Sequence, residues 1–600
     1  MSGIFSMSPI SALYSIDPTT SNSGLKASPI ARKGGLRTMP FIMANETFEK
    51  VATYGLLANM ILYLTSGYHM DAATGANVLF IWSAVSNFTP IFGAFLSDSY
   101  LGRFRVIALG SVASFLGGLL LWLTTLLPNA KPVNRGEQAS PAQLCLLFSA
   151  FGLMSIGAGG IRPCSLAFGA DQLDKGDTAD NARTLQTFFN WYYASVGVSI
   201  MISVTAFVYI QDKFGYKVGF GIPALLMLLA AIFFLIGSSL YVKAKPNKSL
   251  FTGLFQTAVA AFKNKHLAFP PNNGEGWYHH RKGSTLVAPT QKLRFLNKAC
   301  IVRSPDKYLN PEGVTSEPWN LCTVEQVEEL KALIKVLPLW STGIIIAVTI
   351  SQHSFPVLQA KTMDRNLSSN FQIPPASYSA FGILTLTVWV VIYDRLLVPF
   401  LSKLTGNPRG IGLRQRMGIG LFISCITMSV AAMVENKRRN TATAQGLLNK
   451  GNAIVDMSAM WLVPQYCLAG LSEAFNAIGQ IDFYYSQFPK SMSSIGVALF
   501  ALGMGVGNLL GSLIVEIVDH VTSRGGRDSW VSNNLNRGRY DYYYWLLAIL
   551  SLANFFYFLI CSYLYGSCED TKHRVWDEGE GTIYEVDSGE SRELPMIVSV

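Results

Sequence analysis

Residues 218–242 read VGFGIPALLMLLAAIFFLIGSSLYV, twenty-five residues without a charge. At 1.5 Å per residue such a run is long enough to cross the roughly 30 Å hydrocarbon core of a bilayer as one α-helix. The chain then turns polar and basic at once, with Lys243, Lys245 and Lys248. Runs of similar character recur near 39–66, 75–97, 106–128, 142–168, 187–210, 332–354, 375–402, 412–434, 456–487, 493–518 and 541–565, so that twelve segments fall into two sets of six. The composition agrees. Only 14% of the 600 residues are charged and 50% are hydrophobic, with a mean hydropathy of +0.31, against about 25% charged in an ordinary soluble domain. The expected fold is an all-α membrane protein of twelve transmembrane helices in two six-helix bundles.

Domain boundaries follow from the polar stretches. Residues 1–38 read as a disordered cytosolic tail, because they are Ser-rich and lack the apolar core of a cleaved leader. The first bundle occupies 39–242 and the second 331–566, with a basic cytosolic linker at 243–330 and a second cytosolic tail at 567–600. The linker holds 12 Lys/Arg and 7 Asp/Glu. An even number of spans puts both termini and this linker on one side. With that side inside, cytosolic segments hold 28 of the 47 Lys/Arg and external loops 14, the bias expected of positive-inside topology. Two stretches assigned outside, Lys437–Arg439 and Arg524–Arg539, blur it by being basic. The sequon Asn366-Leu367-Ser368 falls in an external loop.

Several function classes drop out. The net charge of +10 is spread between apolar segments, as in loops facing anionic lipid, and so does not argue for nucleic acid. The eight cysteines form no CxxC pair and no zinc spacing, so neither a metal nor a disulfide framework is expected. The string Gly503-x-Gly505-x-Gly507-x-x-x-Gly511 lies inside an apolar span, where close helix packing explains it better than dinucleotide binding. No phosphate loop, nucleophile or metal cluster suggests an enzyme, and no cofactor beyond a proton gradient is implied.

The charges inside apolar spans carry the chemistry. A charge at the bilayer centre costs roughly 2.5 to 3.5 kcal/mol on insertion scales and is therefore a functional candidate. Asn45-Glu46-Thr47-Phe48-Glu49-Lys50 places both carboxylates and the ammonium on one helical face, with Tyr54 a turn further on. A solvated helix end is the alternative for Glu46. The fourth segment carries Gly159-Gly160-Ile161-Arg162-Pro163 and the tenth Ser472-Glu473-Ala474-Phe475. Arg162 and Glu473 are expected at comparable depth, so a salt bridge between the halves is the expected pairing. A buried carboxylate that titrates as a cation approaches and withdraws is suited to proton coupling, and the same cations suit an anionic solute.

These residues resemble a known family. Glu46-x-x-Glu49-Lys50 is similar to the E-x-x-E-[RK] motif of the nitrate and peptide transporter family, the proton-coupled oligopeptide branch of the major facilitator superfamily. Asp98-Ser99-Tyr100-Leu101-Gly102-Arg103, the run GGIRPCSLAFGADQLD at 159–174, Phe188-Phe189-Asn190-Trp191-Tyr192, Leu293–Ala299 and Trp319–Leu330 are similar as well, and resemble the plant branch. The resemblance covers about residues 34 to 570. It implies two bundles around a central cavity that alternates between its two sides. It also implies proton coupling at Glu46, Glu49 and Lys50, a gating salt bridge between Arg162 and Glu473, and a substrate cavity touched by Tyr54, Lys50, Arg162 and Ile350.

Two departures bear on the substrate. The fourth-helix cation is commonly Lys in the family and is Arg162 here, which cannot deprotonate. The seventh-helix histidine that binds nitrate in one relative aligns with Ile350, while His353 lies three residues on, where a packed or external histidine is expected. Ser99 matches a phosphorylatable threonine, which makes it a candidate phosphosite for a regulatory kinase; a plain loop serine is the alternative. The implied function is proton-coupled symport of a small anion, nitrate first, at the plant plasma membrane, with the vacuolar membrane as the alternative. Larger metabolites such as hormones or glucosinolates, dipeptides, and a non-transporting sensor or scaffold are the other readings.

Overall fold

The protein, seen in a computed structural model, is described over residues 34–132, 137–173, 179–243, 250–269, 277–280, 286–302, 315, 317–405, 410–451, 453–489, 492–566, 572–577 and 582–587. Most of the expected N-terminal tail, up to residue 33, lies outside the described residues. Residues Leu36–Thr38, also expected in that tail, form a short 3-10 turn.

The first six expected spans are helical: α1 (Met39–Gly67), α2 (Ala72–Leu96), α3 (Arg103–Leu126), α4 (Pro141–Leu173), α5 (Ala179–Ile202) and α6 (Val208–Ile236). A π-helical turn, Ser203–Phe207, joins α5 to α6. The chain reverses between spans five and six at Gly215, whose φ of 78° favours a residue without Cβ. The linker contributes α7 (Leu250–Lys263). The second set is α8 (Val324–Ile350), α9 (Ser354–Lys361), α10 (Ser379–Ile392), α11 (Val398–Thr405), α12 (Leu413–Ala444), α13 (Val463–Gln487), α14 (Ser493–Thr522) and α15 (Tyr540–Leu564). Helices α10 and α11 are joined by a π-helical turn, Tyr393–Leu397, and together occupy the eighth span.

Nine stretches among the described residues are long and apolar enough to cross a membrane, and one of them, Arg183–Ser239, contains both the fifth and sixth spans. The two long helices outside that set are α1 and α13, which carry Glu46, Glu49, Lys50 and Glu473. They complete the twelve.

Packing among α2, α3 and α4 depends on missing side chains. A Cβ on Gly93 of α2 would sit 1.8 Å from the Gly159 carbonyl oxygen of α4, and one on Gly160 would sit 2.6 Å from the Val106 carbonyl of α3. Backbones approach this closely only where small residues face each other. The glycine string of α14 does the same, with Gly505 against Phe88 and Gly507 against Ala347.

The chain packs as two compact units. One comprises Met1–Pro246, Thr342–Ile481 and Val497–Tyr557; the other comprises Asn247–Ser341, Asp482–Gly496 and Phe558–Val600. Within the second, β1 (Leu286–Ala288) of the linker pairs antiparallel with β6 (Lys572–Asp577), which forms a hairpin with β7 (Thr582–Asp587). The expected C-terminal tail thus contains two strands. Within the first unit, short strands β2 (Met363–Asp364), β3 (Asn366–Ser368), β4 (Phe371–Gln372) and β5 (Val455–Ser458) lie between helices, with β2 parallel to β5 and β3 antiparallel to β4.

One helix departs from expectation. Span nine was expected to end at 434, yet α12 continues to Ala444, so the stretch Lys437–Arg439 is helix rather than loop. Arg438 and Glu435 are fully buried there. The guanidinium makes two 2.8 Å bonds to Glu435 and one of 2.8 Å to Asn536, and Gln359 donates to Glu435 at 2.6 Å. Nearby, Arg539 pairs with Asp541 at 3.0 Å, and Lys437 lies 3.5 Å from the centre of the Trp461 ring. These expected external cations are held by protein partners, which is why they blur the charge bias.

Candidate functional site

The site is built on α1. Its apolar turns place residues 46, 49, 50 and 53 along one face, and that face meets α4 and α5. Glu46 and Glu49 are buried, at 2% and 1% exposure, so Glu46 is not a solvated helix end. Lys50 Nζ bridges the two, 3.2 Å from Glu46 Oε1 and 3.3 Å from Glu49 Oε2. Arg162 of α4 donates from Nε at 3.1 Å and from its terminal nitrogen at 3.0 Å, both to Glu49 Oε1, and Thr53 adds a third bond to that oxygen at 2.9 Å. Gly159 and Gly160 bring α4 close to α2 and α3 one turn before Arg162, and this fixes where the guanidinium emerges. Tyr192 of α5 stands beside the Glu46 carboxylate, within hydrogen-bonding reach of it.

The expected pairing of Arg162 with Glu473 is not formed. Arg162 instead closes onto Glu49, which belongs to the same set of six helices and already lies on the face that α4 covers. Glu473, in α13, is part-buried and makes no ion pair with any described residue. The physical reason is that Glu49 lies on the face of α1 that α4 covers, so Arg162 reaches it within one set of six helices.

The remaining candidates are placed as follows. Tyr54, one turn beyond Lys50, is 38% exposed. Ile350 is the last residue of α8 and part-buried. His353 is exposed rather than packed, and lines a cavity of about 310 Å³ with Leu57, Ile61, Phe80 and Ser83. Ser99 lies in a π-helical turn, Ser97–Leu101, that prolongs α2. Its hydroxyl is buried without a hydrogen-bond partner, and Arg103, four residues on, is bound to both oxygens of Asp171 at 2.7 and 2.8 Å.

Some neighbours were not singled out from the sequence. Thr53 carries a weak signal, being one turn from Glu49 on the same face. Asn45, buried and donating to Ser111 at 2.8 Å, and Tyr192 carry none, because their roles depend on which helices pack against α1.

Four ionisable side chains gathered on and around one helix, in a chain whose described residues include twelve spans of membrane length, define a polytopic membrane transporter. The model of the POT family (PTR2) matches residues 104–531. The chain belongs to this family. It is 54% identical over 550 residues to Protein NRT1/PTR FAMILY 1.2 of Arabidopsis thaliana, covering 90% of this chain and 91% of that protein. It is also 54% identical over 567 residues to Protein NRT1/PTR FAMILY 1.1 of the same plant, covering 92% and 96%. Among solved structures, an auto-inhibited POT family peptide transporter superposes with a TM-score of 0.66 at 20% identity, over 88% of this chain and 97% of that one. The POT family transporter PepTSo follows at 0.65 and 20% identity, over 88% and 98%. At these identities the structures show the fold alone.

Proposed function

We propose that the protein is a proton-coupled symporter of a small anion, nitrate first, working by alternating access at the plasma membrane. The observation that carries this reading is the balance of the α1 cluster, in which two carboxylates are matched by Lys50 and Arg162 in a buried setting. Protonating either carboxylate leaves two cations facing a single carboxylate, so the cluster carries an uncompensated positive charge. In a low-dielectric site that charge is costly, and an entering anion relieves the cost. Proton and anion are thereby made to bind together. Glu49 is held by Arg162, Lys50 and Thr53, whereas the only ion pair of Glu46 among the described residues is with Lys50.

A second reading, a zwitterionic dipeptide, is favoured by Glu473. Its carboxylate has no cationic partner and can accept an ammonium group while Lys50 or Arg162 takes the carboxylate end. Vesicles holding the purified protein and an internal pH probe separate the two. Inward proton movement driven by nitrate supports the first reading, movement driven by dialanine alone supports the second, and none with either solute removes proton coupling to both. Large hormone acids are tested in the same assay.

A further inference from the structure

The linker helix α7 is apolar on two faces. One face, with Thr257, Ala260 and Ala261, packs into a core containing Leu296, Cys300, Cys322 and Val327. The other is uncovered: Phe255 and Phe262 are 71% and 70% exposed, and Ala258 and Val259 complete the i, i+3, i+4, i+7 stripe between them. No acidic residue occurs in α7. Cations gather past its C-terminal end. Lys263, Lys265 and His266 are exposed, and Lys298 donates to the Lys265 carbonyl at 2.5 Å, which joins this end to the segment Arg294–Cys300. Phe295 in that segment is 58% exposed. Arg294 and Lys298 both stand over Phe269, at 4.2 and 5.0 Å, and Lys265 stands over Phe262 at 4.7 Å.

We infer that α7 lies on the cytosolic leaflet, with Phe255 and Phe262 in the interface and Lys263, Lys265, Arg294 and Lys298 on anionic phospholipid headgroups. An exposed aromatic stripe bordered by cations, on a helix that has no carboxylate of its own, has the chemistry of an interfacial helix; Glu317 at its C-terminal end accepts from Asn320, which in turn accepts from Lys263 at 3.0 Å. An aqueous surface would leave two phenylalanines facing water, and an acidic protein partner would match the cations but not the rings. The tether agrees: nine residues, or ten peptide steps, separate Leu240, just past the sixth span, from Leu250, so α7 begins within at most about 36 Å of that point. Lipid composition then acts on the segment that joins the two sets of helices.

The test uses the full-length protein in nanodiscs of phosphatidylcholine alone or with one third phosphatidylserine, and reads amide hydrogen exchange in peptides covering 250–266. Exchange there is expected to slow with phosphatidylserine and to speed up again in high salt. Lys263→Gln and Lys265→Gln are each expected to reduce that protection about fivefold. Phe255→Ser with Phe262→Ser is expected to remove it in both lipids, while peptides covering 286–302 keep their protection and show that the linker core is folded. If unfolding of that core accompanies the double change, the lysine variants decide. Exchange that is equal in both lipids and indifferent to the lysines overturns the inference. So does protection that depends on protein concentration, or that vanishes on removing residues 1–33, since the stripe would then be covered by a second copy or by the chain itself.

Discussion

Glu49 is held by Arg162, Lys50 and Thr53, whereas Glu46 has Lys50 and the neighbouring Tyr192, and this inequality separates two substitutions that look alike. A glutamine at either position keeps the hydrogen-bonding shape but cannot carry a proton. Glu46→Gln and Glu49→Gln should each abolish acid-driven accumulation while sparing exchange of solute at equal concentration, and unchanged accumulation in both would end the coupling role. Glu49→Gln should also lower the amount of folded protein, because Arg162 loses its carboxylate, and removing one partner of a buried pair typically costs about 3 to 5 kcal/mol. The partner of Arg162 is testable by mutant cycles on thermal stability. Arg162→Ala with Glu49→Ala should be non-additive by about 0.5 to 3 kcal/mol, the usual range for residues in contact, and Arg162→Ala with Glu473→Ala should be additive. Additivity in the first cycle and coupling in the second would show that the guanidinium belongs to Glu473 in the resting protein. Coupling to Glu473 in transport rates alone would place that pair in a different state of the cycle.

Helix α12 shows what an element can hide. Its apolar part up to 434 is legible because close to twenty uncharged residues admit few other structures, and the same argument locates most of the other spans, α1 and α13 with their internal charges excepted. The next residues, Glu435-Asn436-Lys437-Arg438-Arg439-Asn440, have the composition of a polar loop, and only tertiary partners make them helix: Gln359 from α9, and Asn536, Tyr540 and Tyr544 from the end of the chain, close around Glu435 and Arg438. The α1 cluster was legible for the opposite reason, since i, i+3 and i+4 spacing is a local fact. The partner of Arg162 was not, because similar depth along two helices says nothing of which one turns toward α4. Arg438→Met should leave Glu435 buried and unpaired and lower the melting temperature of the purified protein, at a cost of about 3 to 5 kcal/mol. Arg438→Met with Glu435→Leu should recover much of that loss, because apolar replacements of a buried pair are often neutral. A double variant no more stable than the single would mean that Arg438 is held by its bonds to Asn536 and the Leu535 carbonyl instead.

Across the first compact unit, helices of the first and second sets of six share an apolar core that includes Leu79 and Phe80 with Phe355 and Val515, and a few polar bonds join them as well. Asn533, between α14 and α15, accepts from the Ala72 amide at 2.5 Å and donates to Asp71, capping the start of α2 from the other set, and Ser512 of α14 donates to Asn77 of α2 at 3.2 Å. Tyr209 and Phe371 stack with ring centres 6.2 Å apart. These contacts lie toward the loop that holds the sequon Asn366, expected to be external, and alternating access requires them to part whenever the cavity opens to that side. Asn533→Ala removes two hydrogen bonds, one of them to a carboxylate, and at about 2 kcal/mol should move the balance toward the externally open state by a factor of about thirty. Ser83→Cys, which places a thiol in the cavity beside His353, reports the change in a background where the exposed Cys145 is replaced by Ser. A membrane-impermeant thiol reagent added outside intact cells should label Ser83→Cys slowly, and far faster when Asn533→Ala is combined with it. Equal labelling rates would mean that these bonds do not hold the external side shut.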